Sequence, residues 1–153
     1  IENFSFIKQK TALSVLSILF IYYLLSFLSI TPYQYTYLNF LNGKIENRYK
    51  KFENDYWATS IAELVKNANF RNNDVIKITT CGLTSANLKE YLKKRPDVKY
   101  KFVLFNEADY IIMTNRVSRF HEVMNCFDLF KGNDIAVVKR NGLILSVIRK
   151  IKT

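Results

Sequence analysis

The chain has 153 residues and 18.0 kDa, enough for one domain with a modest core. Its 49% hydrophobic and 24% charged residues, with only 4 Gly and 2 Pro, exclude a disordered tail, a collagen-like rod and a linker, and 2 Cys are too few for a disulfide-stapled miniprotein. The net charge of +10 makes attraction to nucleic acid or anionic lipid physically available, but the basic residues are scattered, with no run longer than Lys93-Lys94-Arg95. Abundant Asn, Ile, Lys, Phe and Tyr, all encoded by A/T-rich codons, account for the lysines, and no nucleic-acid partner is expected.

A mean hydropathy of -0.06 hides an uneven distribution: Thr11 to Gly43 carries no charged residue at all. Within it, Thr11 to Ile30 (TALSVLSILFIYYLLSFLSI) is an uncharged, mostly apolar run that as a helix covers about 30 Å, the thickness of the hydrocarbon layer. A transmembrane helix over 11–30 is therefore expected, ended by Pro32 and followed by interfacial Tyr33, Tyr35 and Tyr37. A cleaved secretory signal competes poorly, since Ser26-Phe27-Leu28 and Leu28-Ser29-Ile30 are poor small-x-small sites. A buried core helix would need a larger protein around it. Lys8 and Lys10 precede the span, whereas the first positive residues after it are Lys44 and Arg48. That asymmetry makes residues 1–10 a cytoplasmic stub in the cytoplasmic membrane and puts the rest outside the cytoplasm. Beginning with Ile1 and entering the span after ten residues, the chain reads as the tail of a longer polypeptide, although a shortened gene would look the same.

Residues 31–56 lack clear periodicity and read as a connector at the membrane surface. Asn54 or Asp55 is a plausible N-cap for a helix from about Tyr56 to Ala68, with Trp57, Ile61, Leu64, Val65 and Ala68 on one apolar stripe. Val75–Thr80 (VIKITT) is β-branched and short, a strand. Cys81-Gly82 turns the chain, and Thr84 or Ser85 caps a second helix carrying Leu88, Tyr91 and Leu92, stopped before Pro96. Tyr100–Phe105 and Tyr110–Thr114 read as further strands, and residues 115–130 are ambiguous, with room for one short helical turn. The apolar runs beginning at Ile135 and Leu143 flank Asn141-Gly142, the pair favoured by a type I′ hairpin turn. The sum is an α/β chain: one N-terminal transmembrane helix, then over residues 57–153 a small domain with a mixed sheet and a C-terminal β-hairpin.

No catalytic or phosphate-binding motif is present, and no cofactor is implied. The Cys81–Ser85 turn carries one glycine, a weak signal for an anion site. His121 is the only histidine; Glu122, Cys126 and Cys81 lack usual zinc-ligand spacing, so no metal is expected. Cys81 and Cys126 could form a disulfide in an oxidising compartment, or stay two separate buried thiols. More unusual are two polar-aromatic clusters. One is Pro32–Asn39, with Tyr33, Gln34, Tyr37 and Asn39; the other is Phe52–Trp57, with Glu53, Asp55, Tyr56 and Trp57. A membrane belt, a cap and a core tryptophan explain much of this, but not Gln34, Asn39 and Glu53 beside the aromatics. Amides, carboxylates and aromatic faces hold sugars or dock one segment on another, so these eight residues are the candidates for a substrate site or junction.

The order of these features, an apolar span, then P-Y-Q-x-x-Y-x-N, then F-E-x-D-Y-W, resembles the C-terminal region of bacterial GT-C-type multi-span glycosyltransferases. These are the enzymes similar to dolichyl-phosphate-mannose–protein mannosyltransferases and lipid A aminoarabinose transferases. The segment Ala108–Arg116 and the closing hairpin resemble theirs too, so that the likeness runs from about Thr11 to Ile151. Family members often carry His before Pro-Tyr-Gln, where Thr31 stands here. The resemblance implies transfer of a sugar from a polyprenyl-phosphate carrier to an extracytoplasmic acceptor. It places the essential acidic residues in an external loop near the family's N-terminus, absent from these residues, so no catalytic residue is assigned to Glu53 or Asp55. The expected partners are the lipid bilayer, the catalytic transmembrane bundle of the same polypeptide, and through it a lipid-linked sugar and an acceptor. The competing expectation is a stand-alone single-span protein whose external domain binds a partner or glycan without catalysis.

Overall fold

A computed structural model gives the arrangement of residues 2–36, 43–55, 57–70, 75–116 and 124–151. Helix α1 spans Glu2–Ile30, and its stretch Gln9–Ile30, with mean hydropathy 2.2, is long and apolar enough to cross a membrane. The helix begins well before the apolar run because its backbone hydrogen bonds do not depend on side-chain polarity; apolarity bounds a span, not a helix. Hydroxyls on its surface turn back onto its own carbonyls, Ser14 to Lys10 at 3.0 Å and Ser29 to Ser26 at 2.8 Å, which leaves them satisfied without water. Along its length the apolar side chains are exposed, with one exception in the last turn: Ile30 is only 4% exposed and belongs to the core of the domain that follows.

The expected connector holds two short elements, a 3-10 turn at Gln34–Thr36 and helix α2 at Ile45–Lys51. Helix α2 has little apolar pattern to announce it. Tertiary bonds hold it, Arg48 Nε to the Gly43 carbonyl at 2.8 Å and the Tyr49 hydroxyl to Asp128 at 2.8 Å. Helix α3 covers Ile61–Asn67, five residues later than the sequence suggests, because Ala58 takes a positive φ of 55° and stops any helix from running through it. Ile61, Leu64 and Val65 are buried as the stripe predicts, whereas Trp57 is 75% exposed and takes no part in the core. The open carbonyls at the end of α3 receive the Arg95 guanidinium, at 2.6 Å from Val65 and 3.1 Å from Ala68.

Five strands, β1 (Ile76–Cys81), β2 (Tyr100–Phe102), β3 (Tyr110–Thr114), β4 (Gly132–Arg140) and β5 (Leu143–Ile151), form one mixed sheet in the order β2-β1-β3-β5-β4. Strand β1 is parallel to both β2 and β3, and β5 is antiparallel to β3 and β4. Helix α4 (Ser85–Leu92) makes the β1-to-β2 crossover, with the Thr84 hydroxyl accepting from the Asn87 N–H at 3.2 Å as its cap. Alternate residues of the strands face two cores. Ile76, Ile78, Tyr110, Ile112 and Ile148 pack with α3, α4 and Ile30; Ile111, Met113 and Val147 pack with Phe127 and Phe130 on the other side. Strand β3 is buried on both faces, which is why YIIMT reads as an unbroken apolar run.

The hairpin is longer than its apolar runs, since Asn133 and Asp134 still pair with Lys150 and Arg149 through backbone. Its turn has φ of 47° at Asn141 and 76° at Gly142, the double positive value of a type I′ turn. Strand β2 stops at Phe102, short of the expected Phe105, and the chain passes into a 3-10 turn at Phe105–Glu107. Gly82, at φ 81°, admits no side chain, because a Cβ there would lie 2.5 Å from the Thr114 hydroxyl. Within the ambiguous 115–130 stretch, helix α5 occupies Cys126–Leu129 and Asn125 caps it at 3.0 Å from the Phe127 N–H; His121 and Glu122 lie outside the described residues.

Candidate functional site: the helix-to-domain junction

Of the eight candidate residues, Tyr33, Gln34, Glu53, Asp55 and Trp57 are described, and Tyr37, Asn39 and Tyr56 lie outside the described residues. Tyr33, three residues past α1, is buried, and its hydroxyl donates to Glu63 Oε2 on α3 at 2.9 Å. The same oxygen accepts from the Arg140 guanidinium at 2.6 Å. Arg140, at the end of β4, also lies 5.1 Å from the centre of the Tyr33 ring and reaches the Thr31 carbonyl at 3.3 Å. Two elements far apart in sequence, α3 and β4, thus close on the residues that leave the apolar helix. Burial, then the bond to Glu63 and its charge, hold the Tyr33 hydroxyl well above its ordinary pKa, with Arg140 opposing.

Tyr35 reaches the second cluster. Its hydroxyl donates to Asp55 Oδ1 at 2.6 Å and touches the Thr59 hydroxyl. Asp55 is 0% exposed and accepts from the Thr59 N–H at 3.0 Å, the Ser60 N–H at 3.3 Å and the Ser60 hydroxyl at 2.5 Å. The Ser60 and Ser146 hydroxyls lie 2.6 Å apart, which carries the network onto β5. Asp55 therefore caps not the expected helix from Tyr56 but the turn in front of α3. Burial and the bond to Asp55 raise the Tyr35 hydroxyl as well. A buried carboxylate surrounded by this many donors is compensated where it stands. Its chemistry is to tie the helix exit to the sheet.

The other candidates stand apart. Gln34 makes a local bond to the Thr31 hydroxyl at 2.9 Å, Glu53 lies 3.8 Å from Arg116, and the Trp57 ring is exposed. Sequence reading missed Glu63, Arg140, Ser60 and Ser146 as members of the junction. Arg140 sits 109 residues from Thr31 in the chain, and no local pattern signals a bond of that span.

Asn54, adjacent to Asp55, opens a second network of neutral amides. Asn115 donates to Asn54 Oδ1 at 2.6 Å and to the Phe52 carbonyl at 3.1 Å, and Asn125 donates to Asn115 Oδ1 at 2.6 Å. Beside it Cys81 and Cys126 form a disulfide, with Cα atoms 5.8 Å apart, so the bridged alternative is the one found and neither sulfur is a thiolate ligand. Among the described residues, no three His, Cys, Asp or Glu side chains gather as metal ligands would. Next to the junction, Phe20, Tyr23, Leu24, Phe27 and Ile30 of α1 and Gln34 of the turn after it line an apolar groove of about 430 Å³. No protein-family model, no curated protein and no solved structure matches the chain.

Proposed function

We propose that this chain is a membrane-anchored accessory domain, held outside the cytoplasm, that serves as the C-terminal part of a glycosyltransferase using a polyprenyl-phosphate-linked sugar. The observation that carries the anchoring half is the junction: Tyr33 and Tyr35 dock the exit of α1 onto Glu63, Arg140 and Asp55, so the domain is positioned by the helix. The Cys81–Cys126 disulfide and the Lys8 and Lys10 pair before the span support the outer side. The groove at Phe20–Ile30 suits the side chains of a neighbouring transmembrane helix, as the closing helix of a bundle requires. The enzyme class rests on the resemblance of the two polar-aromatic motifs and the closing hairpin. In this role the domain contributes no reacting group; it caps the bundle and helps position the acceptor.

Membranes carrying the full natural gene product, given a radiolabelled polyprenyl-phosphate sugar, are expected to transfer the label, and residues 1–153 alone are not. Failure of the full product with a panel of such donors removes the enzyme assignment. A reporter that works only outside the cytoplasm, fused after Thr153, is expected to be active, and a silent one overturns the orientation. A second reading, a single-span protein whose outer domain binds a partner or glycan, draws support from the exposed Leu104 and Phe105. A natural reading frame with no apolar span ahead of α1 would select it.

A further inference from the structure

Helix α1 carries the domain on its end, not along its side. From Gln9 to Ser29 no residue of α1 is buried, and Ile30 is the first to join the core that also holds Leu143. With the Gln9–Ile30 stretch across lipid, Thr31 marks the start of the headgroup layer, which is about 5–7 Å deep on each face of a bilayer. The part of the domain tied to Thr31 is the hairpin turn. Arg140 Nε donates to the Thr31 carbonyl at 3.3 Å, and the same guanidinium lies 5.1 Å from the Tyr33 ring centre and 2.6 Å from Glu63. Leu143, the register partner of Arg140 on β5, shares its core with Ile30. Both strands are thus anchored at the helix exit immediately before and after Asn141-Gly142. The other end of the hairpin is remote: Asn133 is six residues from Lys139 in β4, about 20 Å along an extended strand.

The chemistry of the turn suits the headgroup layer and no deeper one. Lys139, Asn141 and Gly142 are exposed, and with no large apolar side chain among them nothing favours entry between acyl chains. Lys139 makes no ion pair among the described residues. Arg140 bonds the Thr31 and Lys139 carbonyls and Glu63 through three of its five N–H groups, which leaves two donors. A lysine amine and spare guanidinium donors are suited to phosphodiester oxygens, and anionic lipid adds to the attraction. We infer that the hairpin meets the bilayer turn first, with Lys139 and Arg140 against lipid phosphates in the headgroup layer. A lone helix leans equally in every direction; a contact to one side of its exit gives the lean a direction. This inference rests on α1 being a span and is independent of the enzyme assignment.

The chain's 2 Cys are joined to each other, so one introduced thiol is labelled alone. Lys139→Cys, Asn133→Cys and Leu16→Cys, all at exposed positions, each receive a nitrobenzoxadiazole dye, and the full chain is reconstituted into phosphatidylcholine–phosphatidylglycerol vesicles. A fraction of the lipid carries a nitroxide quencher, either on the headgroup or deep in the acyl chain. The dye at position 139 is expected to lose most of its emission to headgroup nitroxides and little to deep ones, while the dye at position 133 keeps its emission with both. Equal quenching at 139 and 133, or none at either while the dye at position 16 is quenched by deep nitroxides, overturns the turn-first contact and leaves the span standing. A dye at position 16 untouched by deep nitroxides refutes the span, and the contact with it.

Discussion

Asn54 and Asp55 are neighbours in sequence, yet they feed two networks of different physical kind. From Asp55 a charged network runs to Tyr35, Thr59, Ser60 and, through Ser60, to Ser146, joining the exit of α1 to the sheet. From Asn54 a chain of uncharged amides runs to Asn115 and Asn125, beside a covalent cross-link between β1 and α5. The first network fixes position by concentrating donors on one buried anion; removing the anion strands them all together. The second passes one hydrogen bond at a time along side chains that are each donor and acceptor, and leaves the larger constraint to sulfur. A junction that must hold a domain at a set angle to a helix uses the concentrated kind. A seam internal to the domain uses the distributed kind.

The sharpest way to break this contrast is to cut the covalent link. Cys81 and Cys126 are 45 residues apart, and closing a loop of that length stabilises the fold by about 4 kcal/mol in the chain-entropy account. Urea unfolding in mild detergent, with and without reductant, is expected to show a loss of that order; an unchanged midpoint would mean the seam does not depend on sulfur. Next comes Asp55→Ala, expected to cost about 3 kcal/mol because Tyr35, Thr59 and Ser60 lose a shared acceptor in a buried place. The same urea titration measures it, and a loss below that of Asn115→Ala would contradict the contrast. Asn115→Ala breaks the amide chain in its middle and is expected to cost about 2 kcal/mol, with the disulfide intact.

The smallest effect is a pH dependence at the Tyr49 hydroxyl, which bridges α2 to Asp128. Burial, the hydrogen bond to Asp128 and the charge of Asp128 push it up from 10.0 to about 12, against the pull of Arg149. Because the folded value is the higher one, the unfolded chain loses this proton first as pH rises. The stabilisation is complete below about pH 10 and is lost as pH approaches about 12. Unfolding midpoints across that window should fall less steeply in Tyr49→Phe than in the parent chain. Tyr33 and Tyr35 move in the same direction, so the variant should flatten the fall without abolishing it.

Legibility in the sequence followed how local the cause was. The apolar run of α1, the Thr84 cap, the doubly buried β3 and the Asn141-Gly142 turn are each fixed by neighbours within a few residues, and all could be read. Helix α2 could not, because IENRYKK carries little pattern and is held by Asp128 and Gly43 from elsewhere. The late start of α3 escaped because Trp57 falls on a helical stripe by count, while the positive φ of Ala58 has no signature in an alanine. The two polar-aromatic clusters stood out as unusual, but their bonding did not follow from adjacency. Tyr35 finds Asp55 across 20 residues and Tyr33 finds Glu63 across 30, while Gln34 and Glu53, equally suggestive by type, turn elsewhere. Residue type advertised a junction; only packing chose its members.

Ile30 is at once the last rung of the apolar helix and a member of the sheet's own interior. No swivel separates the two, so if α1 crosses lipid, a bilayer that is thicker or thinner and makes the helix lean to match swings the β-hairpin through the same angle. In that setting lipid thickness is a mechanical input that reaches the sheet directly.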